Sequence, residues 1–147
     1  MKPFPHTYSV DASADNEGSV LVSSKGLTTL ASAAPADFGG PGDQWSPETL
    51  LVAAAADCFI LTFRAVARAG KLTWRHLDCH AEGVLDRVDR AARFTKITTF
   101  AKLYVPVGVD VAHARQVLEK AEANCLIAGS LRCECPLVTE VVVDGSE

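Results

Sequence analysis

The stretch Ser46-Pro47-Glu48-Thr49-Leu50-Leu51-Val52-Ala53-Ala54-Ala55-Ala56-Asp57-Cys58-Phe59-Ile60-Leu61-Thr62-Phe63, running on to Gly70, sets the terms for the rest of the chain. It predicts one long helix. The Ser46 hydroxyl can accept a bond from an unpaired amide of the first turn. Pro47 suits the first helical position, where its missing N–H costs nothing. Glu48 places negative charge at the positive end of the helix dipole. Gly70 can close the helix in the left-handed conformation. Between these ends, Leu50 to Phe63 is apolar almost all round, a pattern expected of a helix buried on every side. Cys58 sits in its middle and is the candidate reactive atom.

A chain of 147 residues is read as a single domain, residues 1–147, large enough for a real core. The formal net charge of −4 and the lack of a basic patch argue against nucleic acid as a partner. Met1 to Val10 lacks the apolar run of a signal peptide. Leu50 to Phe63 is too short to span a bilayer and contains Asp57. The expectation is a soluble, cytoplasmic protein with no membrane partner. Five cysteines in a reducing compartment point to packing, metal or redox roles rather than a disulfide framework.

Working outward from the helix, His6 to Ala12, Ser19 to Ser24 and Leu27 to Ala31 predict a meander of short strands, with turns at Asp15–Gly18 and Lys25-Gly26. Ala34 to Trp45, rich in proline and glycine, reads as an irregular loop in which Phe38 and Trp45 need cover. After the helix, Leu72 to Val84 alternates, with Leu77, Cys79 and Ala81 on one face and His76, Asp78, His80 and Glu82 on the other. Asp86 to Arg93 reads as an exposed charged turn. Phe94 to Val105 returns as a long strand, ended by Pro106. Asp110 can cap a second helix whose stripe is Val111, Ala114, Leu118, Ala121 and Cys125. His113 in its first turn reads as solvated. A turn follows at Gly129, and Leu137 to Val143 is the last strand. The order gives an α+β domain with mainly antiparallel pairing.

A helix apolar on all faces needs more cover than one small sheet provides, and a second copy related by a two-fold axis would supply it. Glu48 and Cys58 are separated by about 15 Å along one helix at roughly 1.5 Å per residue. An antiparallel pair of these helices would instead set Glu48 of one subunit beside Cys58 of the other. A homodimer with interfacial sites is therefore expected.

The pattern Pro47-Glu48-x-Leu50-Leu51 followed by Cys58 resembles the OsmC/Ohr family of thiol peroxidases. The segment Asn124-Cys125-Leu126-Ile127-Ala128-Gly129-Ser130-Leu131 is similar to the second-cysteine motif of that family, and the Gly39-Gly40 loop also matches. The resemblance covers nearly the whole chain. It implies an OsmC-like fold, with antiparallel sheets wrapped around two central helices in an intertwined homodimer. It also implies reduction of organic hydroperoxides to alcohols, with Cys58 as peroxidatic cysteine, Cys125 as resolving cysteine and Glu48 as the site glutamate. The implied reductant is a dithiol, either a lipoyl protein or a small thiol. No cofactor is implied. One departure stands out. Family peroxidases supply an arginine from segments before the helix, and the corresponding places here look like Asn16 and Asp37–Phe38. Between Lys2 and Arg64 the only lysine or arginine is Lys25.

That absence bears on the chemistry. A thiol buried among apolar groups has a raised pKa, and the thiolate is the nucleophile. Cys58 lies mid-helix, beyond help from the dipole of its own helix, and Arg64 points away. The expectation is that a cation, from Lys25 or a partner subunit, must ionise it. Asp57 would either face such a cation or raise the thiol further. With a thiolate available, attack on the O–O bond gives a sulfenic acid that condenses with a second thiol. Leu50, Leu51, Phe59 and Phe63 would favour apolar hydroperoxides.

Other readings stay open. Cys58 can be a small packing residue, and Glu48 a charge that merely suits the helix dipole. Lacking the arginine, the fold can be a module that binds a small apolar ligand at the dimer interface. Cys133-x-Cys135 with His76 and His80 raises a metal-holding reading, but familiar zinc spacings are missing, so no metal ligand is assigned. Cys133 or Cys135 can compete with Cys125 as resolving thiol. Cys79 reads as core.

Overall fold

The computed structural model describes residues 1–145. The chain divides into two compact units, Met1–Leu50 and Leu51 onward. The first is a three-stranded antiparallel meander of β1 (Asp11–Ser13), β2 (Val20–Ser23) and β3 (Leu30–Ser32). These strands are shorter than the alternation predicts, and β1 starts later. One turn of 3-10 helix over Ala36–Phe38 interrupts the proline- and glycine-rich loop. The carbonyl of Ala34 crowds Gly40 so closely that a Cβ there would lie 1.7 Å from it, so only glycine fits. Phe38 and Trp45 keep 60% and 48% of their surfaces exposed, so neither finds the expected cover within the chain.

The long helix α1 (Pro47–Ala69) starts as its sequence dictates. Ser46 Oγ accepts from the Thr49 amide at 3.1 Å, while Thr49 Oγ1 accepts from the Ser46 amide at 2.9 Å. This is a capping box with threonine in the reciprocal position. Its other end departs from expectation, because Lys71, not Gly70, takes the left-handed conformation, with φ 54°. The Leu72 amide reaches back to the Ala67 carbonyl at 2.9 Å and the Lys71 amide to that of Arg68 at 3.2 Å, a Schellman closure. Buried Leu72 supplies the apolar contact that accompanies it.

The second unit holds a three-stranded sheet with β5 (Ala91–Pro106) between β4 (His76–Val88) and β6 (Leu137–Asp144). β4 and β5 form a long antiparallel hairpin that runs straight through the segment expected as a charged turn. The turn shrinks to Asp89 and Arg90, both with positive φ, the geometry whose twist matches the flanking strands. A bulge at Val84/Leu85 shifts the register. β6 pairs with β5 in parallel, an exception within the expected mainly antiparallel pairing.

One face of this sheet carries Leu77, Ala101, Leu103 and Val105, packed with Phe59, Phe63 and Ala67 of α1 and with Ala114, Val117, Leu118 and Ala121 of α2 (Val111–Ala123). Phe63 meets Trp74 edge-on at 5.1 Å between centroids. Cutting Phe59 or Phe63 back to alanine would cost about 3–5 kcal/mol. At Gly83 a Cβ would come within 2.7 Å of Val52, so glycine lets the helix lie close to the strand. Asp110 caps α2 by accepting from the Ala112 amide at 2.9 Å, as its sequence predicts. His113 is half-buried rather than solvated, its ring 3.1 Å from the Gly70 carbonyl oxygen.

Two expectations about α1 need correction. Its buried residues are Ala55, Phe59, Phe63 and Ala67, a single stripe, so within one chain it is not buried on every side. Leu61 is 54% exposed. The helix also extends to 23 residues, long and apolar enough to cross a membrane by length and composition alone. The core helix of a soluble protein passes the same test.

Candidate active site

The stripe of α1 that enters the core runs through Phe59 and Phe63, and Cys58 sits at its margin, half-buried. Thr62, one helical turn on, places its Oγ1 3.8 Å from the Cys58 sulfur.

The other wall comes from the end of α2. That helix stops at Ala123, and Cys125 is not on its stripe as the spacing suggests. Asn124 breaks the helix, its side chain donating to the Lys120 carbonyl at 2.8 Å. Cys125 then becomes the N-cap of a one-turn helix, α3 (Leu126–Gly129). The first amides of such a turn have no partner within it. The backbone of Ile127 and Leu126 and the Cys125 side chain lie near enough to act on the Cys58 thiol as hydrogen-bonding groups.

These donors set the charge of the thiol. Burial pushes the Cys58 pKa up, but the Ile127 amide, the Cys125 thiol, the Thr62 hydroxyl and the Leu126 amide together outweigh it. The net result is a thiol below its ordinary value. Cys125 goes the other way. Burial, and the neighbouring Cys58 as both hydrogen-bond partner and charge, hold it up at about 11 despite the Ala128 and Ile127 amides. Cys58 is thus the more acidic thiol of the pair. The groups that lower its pKa are hydrogen-bonding neighbours rather than the expected cation. Neutral amides and a hydroxyl stabilise the anion, because hydrogen bonds to a charged form favour it as an ion pair would. Asp57 is exposed.

Glu48 stands at the first turn of α1, ten positions before Cys58 on the same helix. Its Oε1 is shut off from solvent with no hydrogen-bond partner among the described residues. It borders a cavity of about 560 Å3 in the first unit, with Val20, Val22, Phe38 and Leu50.

The remaining cysteines divide. Cys79 packs against the core from β4, and burial with the Asp78 charge pushes it up to about 11. Cys133 and Cys135 are half-buried before β6. His76 and His80 lie on the exposed face of β4, 2.7 Å from Asp78 and 3.0 Å from Glu82. Among the described residues, no group of three or more His, Cys, Asp or Glu side chains is placed to hold a metal ion. Sequence reasoning missed Thr62 and the amides of Leu126 and Ile127. Thr62 could have been found as the one polar side chain a helical turn from Cys58. The amides carry no sequence signal.

The sequence model of the OsmC-like protein family matches residues 40–140. The chain belongs to the OsmC family. It is 28% identical over 112 residues to the uncharacterised protein YmaD of Bacillus subtilis, covering 74% of this chain and 75% of that protein. It is 32% identical over 92 residues to the peroxiredoxin OsmC of Escherichia coli, covering 63% of this chain and 64% of that protein. A crystal structure described as an organic hydroperoxide resistance protein OsmC from Legionella pneumophila superposes with a TM-score of 0.73 at 25% identity. That superposition covers 96% of this chain and all of the other. The fold is therefore α+β and OsmC-like, in a family that includes peroxidases.

Proposed function

We propose that this OsmC-family chain is a thiol-dependent peroxidase that reduces organic hydroperoxides to alcohols. The observation that carries the reading is the half-buried Cys58 thiol, 3.8 Å from Thr62 Oγ1, whose pKa the hydrogen-bonding groups of Ile127, Cys125, Thr62 and Leu126 bring below the ordinary value against the effect of burial. The Cys58 thiolate attacks the terminal peroxide oxygen and the O–O bond breaks. The alkoxide leaves and takes a proton from water to become the alcohol. Cys58 is then a sulfenic acid. The Cys125 sulfur attacks it, water departs, and a Cys58–Cys125 disulfide remains. An external dithiol, a lipoyl protein or a small thiol, restores both thiols. Cysteines that work by thiol exchange suit the reducing cytoplasm.

The working unit in this reading is a homodimer. Each α1 leaves apolar surface uncovered by its own chain, as at Leu61. A two-fold partner would cover it and bring the second subunit's Glu48 carboxylate toward Cys58. The test is turnover of cumene hydroperoxide with dithiothreitol. Consumption in the wild type and its loss in Cys58→Ser is the expected result, and an inactive wild type rejects the proposal. A second reading has one observation in its favour, the apolar cavity bordered by Glu48. It would hold a small apolar molecule, and an inactive wild type that retains such a ligand on purification would support it.

A further inference from the structure

Glu48 borders a cavity of about 560 Å3 that lies wholly within the first unit. Small-molecule sites run from about 300 to 1,000 Å3, so the space is large enough for a ligand. Val20 and Val22 of β2, Phe38 of the 3-10 turn and Leu50 give it an apolar lining. Backbone bonds fix the loop that forms its wall. The Phe38 and Gly40 amides both donate to the Pro35 carbonyl, at 2.9 and 3.0 Å, and the Ala33 amide donates to the Trp45 carbonyl at 2.9 Å. Phe38 nevertheless keeps 60% of its surface exposed, so a large apolar ring at the cavity still lacks cover.

One polar atom at this cavity is unserved. Glu48 Oε1 is shut off from solvent with no hydrogen-bond partner among the described residues. The donors nearest to it in sequence are missing or spent. Pro47 has no N–H. The Thr49 amide donates to Ser46 Oγ at 3.1 Å, and the Leu50 amide to the Ser46 carbonyl at 2.9 Å. Ser32 also lines the cavity, but its hydroxyl does not serve Oε1. No lysine, arginine or histidine lines it. Lys25, the only lysine or arginine between Lys2 and Arg64, is exposed. A carboxylate taken out of water is costly unless a cation or hydrogen-bond donors replace its hydration. The first unit supplies neither at Oε1, so the missing group must come from outside it.

We propose that this cavity binds a small protonated amine with an apolar body, its ammonium paired with the Glu48 carboxylate, an inference that rests on the second reading above and stands apart from peroxide turnover. An ammonium brings a positive charge and three N–H donors to the orphaned oxygen. Charge-assisted bonds of this kind are about twice as strong as neutral ones. The alkyl or aryl body lies against Val20, Val22 and Leu50 and covers Phe38, whose ring face also attracts a cation. An alcohol of the same shape keeps the apolar contacts but leaves the carboxylate charge unpaired. An anionic ligand is repelled by it.

The test is isothermal titration of the full chain at pH 7 with 2-phenylethylamine and with its neutral isostere 2-phenylethanol. The amine is expected to bind, and the alcohol to bind about tenfold to a hundredfold more weakly, the range for a hydrogen bond to a charged group. Glu48→Gln keeps the shape of the side chain and removes its charge, and should bring the two ligands to within about threefold of each other. The comparison of amine with alcohol is made on the wild type, so it stands whether or not that variant folds. Equal binding of both probes to the wild type overturns the ammonium pairing and leaves the cavity as a site for neutral apolar molecules. A preference for the amine that persists undiminished in Glu48→Gln puts the ammonium elsewhere and also overturns the pairing. Failure of both probes to bind at millimolar concentration, as when a second copy of the chain fills the cavity, overturns the pairing together with the ligand-binding reading beneath it.

Discussion

Cys58 and Cys79 are both half-buried thiols beside the same core, yet their acidities diverge. Burial raises both. On β4 nothing offsets it, the Asp78 charge adds to it, and Cys79 rises to about 11. At the meeting of α1 and α3, hydrogen-bonding groups of Ile127, Cys125, Thr62 and Leu126 outweigh burial and bring Cys58 below its usual value. Thiol reactivity here is set by unused donors nearby, and a strand has none to offer because its amides are spent in the ladder. The first turn of a helix has them to spare.

Replacing Cys58 by serine should give the largest effect, a loss of peroxidase turnover of about a thousandfold or more. Steady-state consumption of cumene hydroperoxide measures it, and retained turnover would remove the contrast between the two sulfurs. Cys125→Ser should leave a burst of one equivalent but slow subsequent turnover by about a hundredfold, since capture of the sulfenic acid becomes intermolecular. Rapid-quench peroxide assays separate the two phases.

Thr62→Val sharpens the comparison without touching either sulfur. Losing one hydroxyl worth about 1 kcal/mol should slow iodoacetamide alkylation of Cys58 at neutral pH by about three- to fivefold. Because the Cys58 pKa is depressed, its alkylation rate should fall only as pH drops through a value below that of an ordinary thiol. Thr62→Val should move that inflection upward, and an unmoved inflection would discharge Thr62 from the site.

Cys79→Val should change turnover by less than about twofold. Its effect belongs to stability at high pH. The folded-state value of about 11 lies above the ordinary 9.0, so this thiol favours the fold fully below pH 9.0, and the contribution is lost as pH rises through about 11. Thermal melts of the variant should decline less steeply over that window.

Much of the fold was legible. Ser46 and Pro47 announce where α1 begins, the stripe of α2 is read from its spacing, and the alternation on either side of Asp86–Arg93 gives the long hairpin. The failures share a cause. The termini of β1 and β3 lie in weakly alternating polar sequence, the parallel setting of β6 depends on contacts far along the chain, and Lys71 takes the left-handed position because the adjoining Schellman bonds require it there. At the candidate site, Cys58 and Cys125 could be named as residue types at a spacing. Glu48 could be named too, but its orphaned oxygen could not.

By itself the sequence determined an α+β chain organised on one apolar helix, with a cysteine at its centre and a second cysteine after the next helix. Those properties are local, following from side-chain period, caps and composition. Tertiary structure alone decided that the backbone of Leu126 and Ile127 comes close enough to Cys58 to lower its pKa. Every residue has an amide, so no pattern of side chains records which ones remain unpaired or what they will meet. A side-chain cation would leave a mark in the sequence, whereas the backbone dipoles that lower this thiol leave none.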